Sequence, residues 1–225
     1  MCPESHPSRV VCLVAITAQS TLGGMHTNGL VIHWAARYDL LAFLFTGGRE
    51  RAFRERLLDL ARMQPGEAVL DIGCGTGTLA IAAARRAGQG ADVRGLDASP
   101  EMIARATRKA ARAGVSAAFQ VGTAEALPFE DSRFDVVLAT LMLHHLPRRT
   151  REQTAHQVRR VLKPGGRVLA VDFGQPSGHG LLAHLHRHGH VKLEDMTTLL
   201  ESAGLAIVES GRVGVRDLHF VLASR

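Results

Sequence analysis

Val69-Leu70-Asp71-Ile72-Gly73-Cys74-Gly75-Thr76-Gly77-Thr78 decides how this chain is read. Val69 to Ile72 is a short apolar run around one aspartate, as a buried strand would be. Three glycines then alternate with small residues, and a helical pattern begins at Leu79. Glycine lacks a Cβ, so such a turn tolerates unusual dihedrals and lets a ligand lie against bare backbone. A glycine-rich strand-to-helix turn is where open α/β sheets bind nucleotide-like ligands.

The spacing narrows the ligand. A dinucleotide site uses G-x-G-x-x-G, so that a helix N-terminus faces a pyrophosphate. Here the pattern is G-x-G-x-G, and Asp71 precedes the first glycine at the end of the strand. A carboxylate there repels a diphosphate and suits a ligand carrying an ammonium group. S-adenosylmethionine carries an ammonium and a sulfonium.

Composition sets the bounds around this stretch. The chain has 225 residues, of which 46% are hydrophobic and only 4% aromatic. That fits one globular domain with a Leu/Val/Ala core and short additions. The net charge of +6 comes largely from arginines dispersed over helices. A nucleic-acid footprint is a patch with interleaved aromatics, so nucleic acid is not expected as a partner. An anionic substrate or a peripheral membrane contact stays open. The three cysteines, Cys2, Cys12 and Cys74, have no zinc spacing and make no disulfide framework.

The Gly turn resembles motif I of the class I S-adenosylmethionine-dependent methyltransferases. The resemblance continues in order from about Arg37 to the C-terminus. The Tyr38-Asp39 pair before the apolar block Leu40–Phe45 resembles the N-terminal region of the quinone-biosynthesis C-methyltransferases, where the tyrosine helps close over the cofactor. Asp97, at the end of the second strand, lies 20 residues beyond Gly77. That is near the ~20 expected of a carboxylate that accepts from ribose hydroxyls. Ser99-Pro100-Glu101 is a helix start. Met102 packs either on the adenine or in the core. In Gly122-Thr123-Ala124 the family usually has aspartate second, accepting from the adenine amino group. Thr123 accepts without charge, so weaker adenine binding is expected, with the Ala124 N–H available to a ring nitrogen.

His144-His145-Leu146-Pro147 also resembles a recurrent sequence of this superfamily. Either histidine could line the substrate pocket, or serve as base, with His145 slightly favoured. The resemblance implies a cofactor set of Tyr38, Asp71, Gly73, Gly75, Gly77, Asp97, Ala98, Met102, Thr123, Ala124 and Thr140. No metal is expected, because the histidines between His179 and His190 alternate with leucine as in a lid or half-buried rim. The expected fold is a doubly wound α/β, seven-stranded Rossmann-like sheet. It is mostly parallel with an antiparallel C-terminal strand, and the resemblance implies the strand order 3-2-1-4-5-7-6 across the sheet.

Residues 1–24 read as an extension, with Met25 a candidate start. Residues 25–64 read as an N-terminal helical cap and 65–225 as the S-adenosylmethionine-binding methyltransferase domain. The expected activity is cytoplasmic methyl transfer to a small quinone-like or lipid-like molecule, at carbon or oxygen. N-methylation of a small amine or phospholipid head group is the alternative. A non-catalytic cofactor-binding protein and a dinucleotide oxidoreductase are the readings from other classes; G-x-G-x-G and Asp71 count against the second.

Overall fold

A computed structural model describes residues 48–174, 191–215 and 217–225. Tyr38, the extension, most of the helical cap and the histidine-rich segment lie outside the described residues. In chain order the elements are α1 (Glu50–Leu60), β1 (Val69–Ile72), α2 (Thr78–Ala87), β2 (Val93–Asp97), α3 (Pro100–Ala113) and β3 (Ala118–Val121). They continue with β4 (Phe134–Thr140), a single 3₁₀ turn (Leu143–His145), α4 (Arg148–Val161), β5 (Leu162–Phe173), α5 (Leu193–Ser202), β6 (Ala206–Arg212) and β7 (Leu218–Ser224).

The seven strands form one sheet in the order β3-β2-β1-β4-β5-β7-β6. β1 to β5 run parallel, and β7 is antiparallel to both β5 and β6. This is the expected topology. The central strands are apolar on both faces, as a sheet covered by helices on each side requires. Leu70, Ile72, Val137, Ala139, Val168 and Ala170 pack toward α4 and α5. Val69, Val136, Leu138, Leu169 and Val171 pack toward α1 and α2.

Local sequence sets most boundaries. The Ser99 side chain accepts from Met102 N, Pro100 occupies the first turn, and Gly114 closes α3 in the left-handed conformation. α1 buries Leu57, Leu58 and Leu60 in the core shared with β1 and α2, so the described part of the cap belongs to the main core. Arg167 fastens it there. Its guanidinium donates to Ala61 O and Arg62 O, both at 2.6 Å, and to both oxygens of Glu67 at 2.8 Å.

One boundary differs from expectation. Lys163-Pro164-Gly165-Gly166 reads as a turn closing α4, yet β5 begins at Leu162. Leu162 already pairs with Phe134, and the ladder then shifts so that Val136 meets Arg167. The four residues form an irregularity inside the strand. The C-terminal residue holds it, with Gly165 N donating to Arg225 O and Arg225 N to Gly166 O.

Candidate functional site

Strand alternation builds the site. Val69 and Asp71 point to the α2 side of the sheet, as do Val93 and Asp97 on β2 and Leu138 and Thr140 on β4. The register matches Ile72 with Leu96 and with Ala139, so Asp97 and Thr140 stand level with Gly73. Two carboxylates and one hydroxyl from three adjacent strands thus meet at one edge of the sheet.

Asp71 is 2% exposed, and its Oδ2 has no hydrogen-bond partner. Burial pushes its carboxyl up to about 8. The Ala80 backbone N–H offsets part of that, and the nearby charge of Asp97 adds to it. Asp97 is also raised by burial, opposed by two backbone bonds: Gly75 N donates to Oδ2 at 2.8 Å and Ser99 N to Oδ1 at 2.9 Å. Both oxygens are therefore engaged, each with a second lone pair left over. Asp97 braces the Gly turn against the start of α3, a role that its spacing did not reveal.

The three glycines divide their work. All have positive φ. A Cβ on Gly73 would lie 2.7 Å from Met142 Cβ, and one on Gly77 would lie 2.7 Å from Ala106 Cβ and 2.8 Å from the Phe119 ring. At these two positions the space that a Cβ would need is taken by neighbouring side chains, so close packing by itself requires glycine there. Gly75, between them, presents its N–H to Asp97. Cys74 is buried, and burial pushes its thiol well above the ordinary range, consistent with a filler.

Beyond β3, Gly122 N donates to Asp97 O, which brings the Thr123-Ala124 turn beside the β2 tip. Ala124 is buried and Thr123 half-buried. Ala98 is half-buried between Asp97 and the Ser99 cap. Met102 is 3% exposed, at the start of α3. Tyr38 lies outside the described residues.

After β4, Leu141 takes a positive φ and the 3₁₀ turn presents both histidines. His144 Nδ1 lies 2.6 Å from Oδ1 of Asp172, and His144 N donates to Oδ2 at 3.0 Å. Asp172 is fully buried at the end of β5. An Nδ1–H donating to the carboxylate leaves Nε2 as the ring's acceptor, which is how a general base is oriented. His145 has no such partner. Burial, and then the neighbouring His144, hold its imidazole down at about 4. The ring centroids are 3.9 Å apart. Of the two histidines, His144 is the one whose ring a carboxylate orients.

Among the described residues, the buried side-chain atoms without a partner are Asp71 Oδ2, Glu125 Oε2, Thr140 Oγ1 and His219 Nδ1. All four stand at the same edge of the sheet. Asp71 and Thr140 are at the C-terminal tips of β1 and β4, and Glu125 follows the tip of β3. His219 on β7 pairs with Asp172 at the tip of β5. Unpaired buried polar atoms are costly in a core, so their concentration at one edge makes that edge the candidate ligand site. Glu125 and His219 escaped the reading of the sequence. Glu125 carries only the signal of its place in the Ala-Glu-Ala-Leu-Pro turn, and His219 carries none short of the β5–β7 register. No group of acids, cysteines and histidines among the described residues is placed to hold a metal.

A family model described as a methyltransferase domain matches residues 69–166. The demethylmenaquinone methyltransferase of Thermus thermophilus is 39% identical over 142 residues, covering 63% of each chain. A ubiquinone/menaquinone biosynthesis C-methyltransferase of Ralstonia pickettii is 31% identical over 214 residues, covering 82% of this chain and 87% of that protein. The chain belongs to the class I S-adenosylmethionine-dependent methyltransferases. The solved S-adenosylmethionine-dependent methyltransferase of Methanosarcina mazei has a TM-score of 0.63 at 27% identity, covering 72% of this chain and 93% of that one. The chain spans only 54–63% of the length of several curated relatives that it matches. The family's methyl donor, S-adenosylmethionine, fits the donor set here: the unpartnered oxygen of Asp71 can accept from its ammonium, whose charge favours the ionised form of that carboxyl. No described helix is long and apolar enough to cross a membrane.

Proposed function

We propose that this methyltransferase binds S-adenosylmethionine along the tips of β1, β2, β3 and β4 and methylates a small quinone-like or lipid-like acceptor that carries an ionisable hydroxyl. The observation that carries this reading is the row of unpartnered buried polar atoms along that edge, beginning with Asp71 Oδ2. Asp71 would hold the ammonium, Asp97 the ribose hydroxyls, and Thr123, Ala124 and Met102 the adenine end. Bound there, S-adenosylmethionine supplies an electrophilic methyl on a sulfonium. The chain supplies position and a proton acceptor. Asp172 holds the His144 ring so that Nε2 can take the proton released by the acceptor, whether oxygen or the adjoining carbon is methylated. His145 and Phe173 border that ring and keep water from it, with Phe173 edge-on to His144 at 5.3 Å. The relatives' names support a quinone-like acceptor.

The test is equilibrium titration with S-adenosylmethionine and with NAD, followed by mass spectrometry of products from isotopically labelled donor in host extract. Binding of the first ligand alone and a labelled small molecule are expected. Preference for NAD, or label confined to protein, would overturn the reading. His144→Gln should lower kcat by about 10²–10⁴ with donor affinity unchanged; an unaltered pH–rate profile would remove His144 as the base.

A further inference from the structure

Away from the strand tips, a groove of about 500 Å³ opens between α1, α2 and α3, and none of its lining residues lies on a strand. Its size is that of a small-molecule site, roughly 300–1,000 Å³. Five cations line it: Arg51 and Arg54 from α1, Arg85 and Arg86 from α2, and Lys109 from α3, against one acid, Glu55. Arg54 and Arg86 are matched by acids. Arg54 pairs with Glu50 at 3.1 Å, and Arg86 pairs with Glu55 at 2.5 Å and Asp59 at 2.7 Å. Lys109 donates to the Thr76 hydroxyl at 2.9 Å. Arg51 and Arg85 are exposed, and no carboxylate among the described residues pairs with either.

Arginines elsewhere on the surface include several that are paired with acids. Arg94 and Arg133 pair with Asp92, Arg160 with Asp131, and Arg167 with Glu67. Arg51 is also misplaced for its own helix, since a cation in the first turn of α1 opposes the helix dipole. The like charges of Arg51 and Arg85, brought to one groove from two helices, repel each other until an anion enters. Guanidinium forks match phosphate oxygens in pairs, and Ile81 gives the groove an apolar floor.

We propose that this groove binds a phosphate-bearing anion with a short apolar portion, held by Arg51 of α1 and Arg85 of α2. A free phosphate compound and a lipid head group share that chemistry. The proposal is independent of the methyl-transfer reading, since no residue of the strand-tip site lines the groove.

The test uses the full chain at low ionic strength. Inorganic pyrophosphate is titrated calorimetrically, and the protein is sedimented with phosphatidylcholine vesicles with and without phosphatidylglycerol. Saturable pyrophosphate binding is expected, weakened at least about tenfold in the double variant Arg51→Gln/Arg85→Gln. The double variant Arg148→Gln/Arg149→Gln removes the same charge from the exposed start of α4 and should bind as the parent does. Circular dichroism shows that both variants are folded. Sedimentation that needs phosphatidylglycerol and is lost in the groove variant assigns a lipid head group; sedimentation indifferent to that lipid assigns a free phosphate compound. Absence of saturable pyrophosphate binding, or equal weakening in the two double variants, or none in the first, would overturn the proposal.

Discussion

Asp71 is a buried carboxyl with one unpartnered oxygen, an arrangement that costs the fold stability. Its carboxyl keeps a proton up to about pH 8 in the folded chain, but only up to about 3.8 once unfolded. The folded state therefore binds more protons across that window, and stability falls as pH rises through it. Asp71→Asn should raise the melting temperature at pH 8, flatten its dependence between pH 4 and 8, and abolish S-adenosylmethionine binding. A melting temperature unchanged at pH 8 would mean that the carboxylate is solvated or already paired. Gly77 is the opposite case, a site residue by motif and a packing residue by geometry. Gly77→Ala needs φ of +76° and drives a methyl into Ala106 and Phe119. A loss of roughly 1–3 kcal/mol is expected in urea unfolding; an unchanged midpoint would show that α2 and α3 can part without cost.

At the scale of the element, Asp97 joins three pieces: the end of β2, the Gly turn through Gly75 N, and the α3 start through Ser99 N. Removing its side chain orphans two backbone donors and takes away the acceptor proposed for the ribose. Asp97→Ala should thus weaken S-adenosylmethionine binding and also destabilise the fold by about 1–3 kcal/mol. Read from spacing alone, the same substitution should spare folding. Thermal melts without ligand decide between the two. Ser99→Ala makes the comparison, since it loses only the cap to Met102 N, worth about 1 kcal/mol, and should leave affinity unchanged.

For the whole molecule, one guanidinium links the N-terminal helix to the sheet. Arg167 at the centre of β5 spans Ala61 O, Arg62 O and both oxygens of Glu67, 100 residues or more away along the chain. Arg167→Met should cost about 2 kcal/mol, because Glu67 and two carbonyls lose their donor while partly buried; an unaltered urea midpoint would show that α1 is held by its leucines alone. The elements themselves were largely legible in the chain. Strand apolarity, the Ser99-Pro100 start and the Gly-rich turn are local signals, and local signals carry backbone conformation. The same holds for the two strand-tip acids, whose alternation puts them on one face. What the sequence by itself determined was the order of strands and helices and the family's motifs along them. Only tertiary structure decided that His144 rather than His145 has a carboxylate behind it, that Gly73 and Gly77 fill with neighbours, and that Glu125 and His219 join the edge. Those facts depend on which strands lie side by side and in what register, and no short window of residues contains that.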